Sequence, residues 1–358
     1  MMRLAFYAPL KPPNHPVPSG DRTMAQGLIA ALTRMGSAVT LASTLRSRDG
    51  AGSRAAQTQI FTDAKAEIDR LIPEGHRQGW QAWITYHNYY KAPDLIGPTV
   101  ARTLGIPYLQ IESTRARKRL AGPWADFATA AEAAADAAAV IFYVTARDGE
   151  TLHRDAPSQQ HLIHLAPFLQ RDDLPHASAL CGPMLSVGMM RAGDKLASYR
   201  IIAETLAYLT GDWALDIAGD GPRRAEVEAL MAPFQDQVTF LGALDADRLA
   251  RHYSTASLLF WPGVNEAFGL VYLEAQAAGL PVVAQDRPGV REILAAGAYP
   301  TPQDGPRGLA RRLSEMAHST ESRRAASAAA RAHLSAHHLL PAAAQTLRNG
   351  LAAVGVHP

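Results

Sequence analysis

Short apolar runs alternate with amphipathic stretches along the whole 358-residue chain. Residues 3–8, 38–42, 82–86, 108–111, 140–144 and 161–165 are apolar runs of strand length. Between them lie helical periods near 23–35, 56–72, 95–104, 124–137 and 146–153. Residues 45–55, polar and rich in Gly, Ser and Arg, are expected to be a loop or a mobile segment. This rhythm predicts βαβ units and a parallel sheet. Residues 170–183 break the period with Asp172, Asp173, Pro175 and Pro183, as a domain junction would. The rhythm then restarts: strands at 184–187, 214–218, 238–241, 258–261 and 281–284, with helices near 195–209, 223–232, from 245, 270–278 and from 304. The expectation is an α/β protein with one domain over 1–175, a second over 176–337, and a last helix in 338–358 that crosses back to the first. Ligands of such sheets bind beyond the carboxyl ends of the strands.

Composition narrows the function. The formal net charge is +2, from 35 Lys+Arg and 33 Asp+Glu, which gives no basic excess for nucleic-acid binding. Cys181 is the one cysteine, so an internal disulfide and a cysteine-built zinc cluster are excluded. The apolar start, residues 1–10, runs into Lys11-Pro12-Pro13 and suits a buried strand better than a secretory signal. No run of about 18 apolar residues is present. A cytoplasmic protein is expected.

The densest stretch is Trp261-Pro262-Gly263-Val264-Asn265-Glu266-Ala267-Phe268-Gly269-Leu270-Val271-Tyr272-Leu273-Glu274. It follows an apolar strand, passes through Pro and Gly, and opens a helix. Two carboxylates stand eight residues apart, Glu266 in the loop and Glu274 about one turn into the helix. Helix-start amides near residues 268–270 suit a diphosphate, Gly269 permits close approach, and Glu274 can accept bonds from ribose hydroxyls. Leu273-Glu274-Ala275-Gln276-Ala277-Ala278-Gly279-Leu280-Pro281-Val282-Val283 completes the run. The whole resembles the Glu-x7-Glu signature of retaining family-4 glycosyltransferases of the GT-B fold, with Ala267 where glycine is usual.

Further pieces resemble the same family. Gly219-Asp220-Gly221-Pro222 is similar to its turn after a strand, and Val238-Thr239-Phe240-Leu241-Gly242-Ala243-Leu244 to the strand and loop beside the nucleotide base. Leu185-Ser186-Val187-Gly188 resembles the first strand of the donor domain, but Met189 replaces the expected arginine. Arg191 stands two residues on and Lys195 one residue late. In the first half, Gly20 is the one glycine left of a glycine-rich loop, and His87 ends a strand where the family often carries a cleft-lining histidine. Glu112 and Ser113 end the next strand and are also candidates to face the cleft.

The resemblance implies two Rossmann-like domains facing each other across a cleft, and a hexosyl unit moved with retention from a UDP- or GDP-linked sugar. The acceptor would be a glycan, a lipid-linked sugar or a small molecule, in polysaccharide biosynthesis for instance. Gly20, Arg191, Lys195, Gly269 and Leu270 would hold the donor diphosphate. Glu266, Ala267, Phe268 and Gly269 would hold the donor sugar, and Glu274, Gly219, Gly242 and Leu244 the nucleoside. Glu266 and His87 are the catalytic candidates. No cofactor and no metal are expected.

Plainer readings stand beside these. A carboxylate pair can sit at a helix start because negative charge is favoured there; Gly219 to Pro222 can be a turn, and His87 a core histidine. Arg115, Arg117, Lys118 and Arg119, like Arg46, Arg48 and Arg54, read first as solvated charge and second as contacts for an acidic acceptor or the inner face of a membrane. Two other functions share the layout: a nucleotide-sugar 2-epimerase, and a non-catalytic nucleotide-sugar-binding relative. A nicotinamide oxidoreductase is disfavoured, since no Gly-x-Gly-x-x-Gly follows the first strand.

Overall fold

The structure is a computed structural model. It describes residues 1–17, 19–266 and 269–357. The chain forms two compact units, residues 1–166 with 340–358, and residues 167–339.

In the first unit, β1 (Arg3–Tyr7), α1 (Gly20–Arg34), β2 (Ala38–Ser43), α2 (Arg54–Gln78), β3 (Ala82–Asn88), α3 (Gly97–Leu104), β4 (Tyr108–Ser113), α4 (Ala125–Ala137), β5 (Val140–Tyr143), α5 (Ala146–Asp155) and β6 (His161–His164) alternate. The six strands form a parallel sheet in the order β2-β1-β3-β4-β5-β6. Strand order reverses between β1 and β3, so the carboxyl ends of those strands flank a crevice. β3 is buried almost throughout, as a strand covered by helices on both faces must be.

A buried network fixes the end of β3. The Thr85 hydroxyl donates to Asp94 Oδ2 at 2.5 Å, and Tyr108 donates to the same oxygen at 2.8 Å. Asp94 Oδ1 accepts the Ile96 and Gly97 amides at 2.9 and 2.8 Å, opening α3. Asn88 Nδ2 donates to Ser113 Oγ on β4 at 3.2 Å and to the Ala131 carbonyl on α4 at 3.0 Å.

The second unit contains β7 (Met184–Val187), α6 (Asp194–Leu206), β8 (Leu215–Ala218), α7 (Arg224–Met231), β9 (Val238–Gly242), α8 (Ala246–Thr255), β10 (Leu259–Phe260), α9 (Leu270–Ala277), β11 (Val282–Val283), α10 (Gly305–His318) and α11 (Thr320–His337). Its five parallel strands run β11-β10-β7-β8-β9, and the reversal lies between β7 and β10. The last helix, α12 (Leu340–Ala353), belongs to the first unit and buries Leu347 and Leu351 there. No helix of the described residues is long and apolar enough to cross a membrane.

Two boundaries differ from the sequence expectation for local reasons. α1 starts at Gly20 rather than Thr23, because the Ser19 hydroxyl caps the helix by accepting the Arg22 amide at 3.3 Å. α2 continues through Pro73 to Gln78 and stops where Gly79 turns left-handed at φ 63°. The polar loop before α2 is tied down: Ser47 and Asp49 are buried, and the Asp49 carboxylate accepts the Ala51, Gly52 and Ser53 amides and the Gln57 side chain.

Candidate active site

In the second unit the candidate groups gather at the reversal between β7 and β10. Lys195 is the second residue of α6, and Glu266 lies in the loop after β10. Lys195 Nζ donates to Glu266 Oε1, with the two side chains 28% and 13% exposed. Trp261 Nε1 donates to the same oxygen at 2.9 Å, and the Lys195 ammonium sits 5.2 Å from the centre of the Trp261 ring. A lysine and a carboxylate 71 residues apart in sequence are therefore held on one indole. The loop carrying Glu266 is pinned to the start of α6: the Val264 amide donates to Ser198 Oγ at 3.2 Å, and Asn265 Nδ2 donates to Asp194 Oδ1 at 3.0 Å.

The glycines around this point make room for backbone. A Cβ on Gly188 would lie 2.6 Å from the Trp261 ring, and one on Gly219 would lie 1.9 Å from the Gly188 carbonyl oxygen. The Gly219 amide donates to the Gly242 carbonyl at 2.8 Å. The loops after β7 and β8 are thus stacked closely enough that a side chain at Gly219 is excluded. Gly269 has φ 51°, and a Cβ there would lie 2.6 Å from the Tyr272 ring. It precedes Leu270, the first residue of α9, whose side chain packs against the core.

Glu274 sits apart from Glu266. Its Oε2 accepts the Tyr253 hydroxyl from α8 at 3.1 Å, and burial raises its carboxyl above the usual carboxylate value against the opposing effect of that bond. Glu274 and Tyr253 line a cavity of about 660 Å³ with Leu169, Gln170, Pro175 and Ala278. That size falls within the range of small-molecule sites.

Other candidates lie less centrally. Arg191 is exposed and has no side-chain partner among the described residues, and Met189, where arginine is expected, is 48% exposed. Leu244 is half-buried against the core. Ala267 and Phe268 lie outside the described residues.

In the first unit His87 and Glu112 end neighbouring strands, β3 and β4, and both carry left-handed backbone at φ 70° and 58°. Such angles cost energy in residues other than glycine and concentrate at functional sites. His87 Nδ1 lies 3.5 Å from Glu112 Oε1 and 3.8 Å from Asp21 Oδ1 of α1. His87 Nδ1, Glu112 Oε2 and the Tyr86 hydroxyl are buried without a hydrogen-bond partner. Burial pushes the Glu112 carboxyl up to about 8, reinforced by Asp148 and Asp21 and opposed by the nearby Tyr86 hydroxyl. Burial also lowers His87, against the pull of Asp21 and Asp148. At neutral pH the cluster thus holds a protonated carboxyl beside an uncharged imidazole. Gly20, the first residue of α1, faces open space: a Cβ there would meet nothing within 4 Å.

Trp261 and Tyr253 had no assigned role in the sequence. Trp261 stands inside the motif, so its position after an apolar strand was the available signal. Tyr253 carries no signal in its own helix.

The whole chain is similar in fold to solved structures. HepE from Anabaena, solved with UDP, superposes with a TM-score of 0.72 over 98% of this chain and 100% of that one, at 15% identity. Sucrose-phosphate synthase from Thermosynechococcus elongatus gives 0.69 over 97% of each chain, at 19% identity. The fold is GT-B. Within this GT-B chain, residues 196–333 match the family model for glycosyl transferases group 1. An alpha-D-kanosaminyltransferase from Streptomyces kanamyceticus is 26% identical over 223 residues, 55% of this chain and 57% of the relative. A D-inositol 3-phosphate glycosyltransferase from Geodermatophilus obscurus is 41% identical over 78 residues, 22% of this chain and 17% of the relative. The matches therefore span little more than half of the kanosaminyltransferase and less than a fifth of the inositol-phosphate enzyme.

Proposed function

We propose that the chain is a retaining glycosyltransferase of family 4 that moves a hexosyl unit from a UDP- or GDP-linked sugar to a glycan, lipid-linked or small-molecule acceptor. The observation that carries this reading is the Lys195–Glu266 pair, held on Trp261 at the strand-order reversal of the donor-type sheet.

A departing nucleoside diphosphate gathers negative charge, and a preorganised cation stabilises that charge as it forms. Lys195 supplies the cation, joined by Arg191 and the amides of Gly269 and Leu270. While the site is empty, Glu266 neutralises Lys195, so neither charge is left unpaired. A bound diphosphate takes over Lys195 and frees Glu266 Oε1 to accept a sugar hydroxyl. Trp261 Nε1–H keeps that carboxylate in place during the exchange. Glu274 accepts ribose hydroxyls, with Tyr253 orienting it. In the first unit His87 and protonated Glu112 supply a hydrogen-bond acceptor and a hydrogen-bond donor for hydroxyls of the acceptor. The leaving phosphate takes the acceptor proton in a front-face attack, which needs neither a carboxylate nucleophile nor a metal ion.

The named relatives are transferases, and the epimerase and binding-only readings draw no support from them. Calorimetric titration with UDP, GDP and ADP tests the donor site. One nucleotide is expected to bind, and Glu274→Ala to weaken it by about 1–3 kcal/mol through loss of hydrogen bonds to a charged group. Donor turnover unaffected by chelator, with the product anomer matching the donor by NMR, tests the remaining parts. Absence of binding at millimolar nucleotide overturns the transferase reading.

A further inference from the structure

In the first unit an aromatic staircase leads outward from His87. The ring of Tyr89 lies 4.9 Å from His87, Tyr90 lies 5.6 Å from Tyr89, and Trp124 lies 5.8 Å from Tyr90, each edge to face. Cations cover these rings. Lys91 Nζ is 5.6 Å from the Tyr90 ring centre and 5.2 Å from that of Trp124; the Arg119 guanidinium is 5.1 and 5.7 Å from the same two. Arg48, exposed, lies beside the Tyr89 hydroxyl, whose pKa burial raises and the Arg48 charge lowers. Arg48, Lys91 and Arg119, from three separate segments of the first unit, thus meet around one set of rings.

Their charge is uncompensated. Among the described residues none of the three has a carboxylate partner, and Arg119 Nε is buried with no acceptor. By contrast Arg115 and Arg117 of the same basic run are used at home, Arg115 buried against Glu132 and Asp136, Arg117 beside Asp155. The solvated-face reading of that run is therefore corrected for Arg115, whose side chain is 1% exposed. Asp49, whose carbonyl accepts the Trp124 indole, commits its carboxylate to three loop amides and Gln57.

The platform is also built rather than incidental. Trp124 Nε1 donates to the Asp49 carbonyl at 3.1 Å, and a Cβ on Gly52 would strike Pro123 at 2.6 Å and press on the Trp124 ring. Gln57 Nε2 reaches the Pro123 carbonyl at 2.9 Å. The loop before α2 clamps the indole, so the ring does not pay rotamer entropy on binding.

Half-exposed aromatic rings accept the apolar faces of sugars, and unpaired guanidinium and ammonium groups bind carboxylate, sulfate or phosphate. We propose that Tyr89, Tyr90, Trp124, Arg48, Lys91 and Arg119 form a binding site for an anionic saccharide, the distal part of the acceptor whose reacting end lies at His87. The assignment of this ligand as the acceptor rests on the transferase reading; the site's preference for anionic sugar does not.

The test uses full-length protein and defined probes. Calorimetry measures binding of tetragalacturonate, of a sulfated heparin tetrasaccharide and of an uncharged tetrasaccharide made by reducing the galacturonate carboxyls. UDP binding by the same preparation is measured in parallel, so a failed donor site is seen separately. At least one anionic probe is expected to bind about tenfold or more tighter than the uncharged one. Lys91→Ala/Arg119→Ala is expected to lose about tenfold of that binding, and Lys91→Ala alone a smaller part. Lys65→Ala/Arg77→Ala, which removes equal charge elsewhere in the unit, is expected to keep it. Melting curves confirm that each variant is folded. The proposal is overturned if anionic and uncharged probes bind alike, if the two double variants lose binding equally, or if only phosphatidylglycerol vesicles are bound.

Discussion

At the scale of single residues, Glu112 makes the most specific statement. Its carboxyl titrates near 8 in the folded protein, well above its value of 4.5 in an unfolded chain. The folded state therefore holds more protons across that interval, and stability falls as pH rises through it. His87, lowered from 6.5, pulls the opposite way at lower pH, because charging it opposes folding. Above pH 6.5 the imidazole is neutral in both states, so the Glu112 effect stands alone within this cluster. Glu112→Gln, which mimics the protonated acid, is expected to gain about 1–3 kcal/mol on wild type at pH 8 and little at pH 5. Urea unfolding at the two pH values measures this, and an equal difference at both would mean that Glu112 is ionised throughout. None of this was visible in the sequence, where Glu112 was one acid at the end of a strand. Its environment comes from Asp21, Tyr86 and Asp148, which the fold brings in from three other places. Lys195 and Glu266 are the converse case. Each was picked from its own motif, but their pairing across 71 residues needed the two strands at the reversal to be neighbours.

At the scale of elements, the glycines separate by what surrounds them. Gly219 has φ 146°, and a Cβ there overlaps the Gly188 carbonyl. Gly219→Ala is expected to destabilise by about 1–3 kcal/mol and to push the loop after β7 away from Trp261. Gly20 is the first residue of a helix, with open space where its Cβ would be. Gly20→Ala should therefore leave the melting temperature unchanged or raise stability by about 0.4–1 kcal/mol. Comparing the two melting curves checks both. If Gly20→Ala folds normally and still loses donor binding, a ligand comes within reach of that backbone. Strands and helices were largely legible because their apolar periods are strong. The start of α1 was not: it begins where Ser19 caps it, three residues before its apolar period declares itself. The loop before α2 looked free in composition, and only the buried partners of Ser47 and Asp49 show it to be packed.

For the whole molecule, the chain leaves its first unit after Ala166 and returns to it at Leu340. The return is a packing commitment made by α12. Its Gly350 lies so close to the sheet that a Cβ would stand 2.2 Å from the Phe142 ring and 3.2 Å from Ile163. Phe142 and Ile163 belong to β5 and β6, so the last helix of the sequence covers the last two strands of the first sheet. A larger residue at 350 must lift the helix or bend the ring, at a cost of about 1–3 kcal/mol for an overpacked core. Gly350→Val is therefore expected to lower the melting temperature and to expose cleavage sites in the first unit to limited proteolysis before those of the second. The substitution lies far in sequence from every candidate site residue, and it leaves the Lys195–Glu266 pair of the other unit untouched. Wild-type melting behaviour in Gly350→Val would show that α12 does not dock on β5 and β6 in solution.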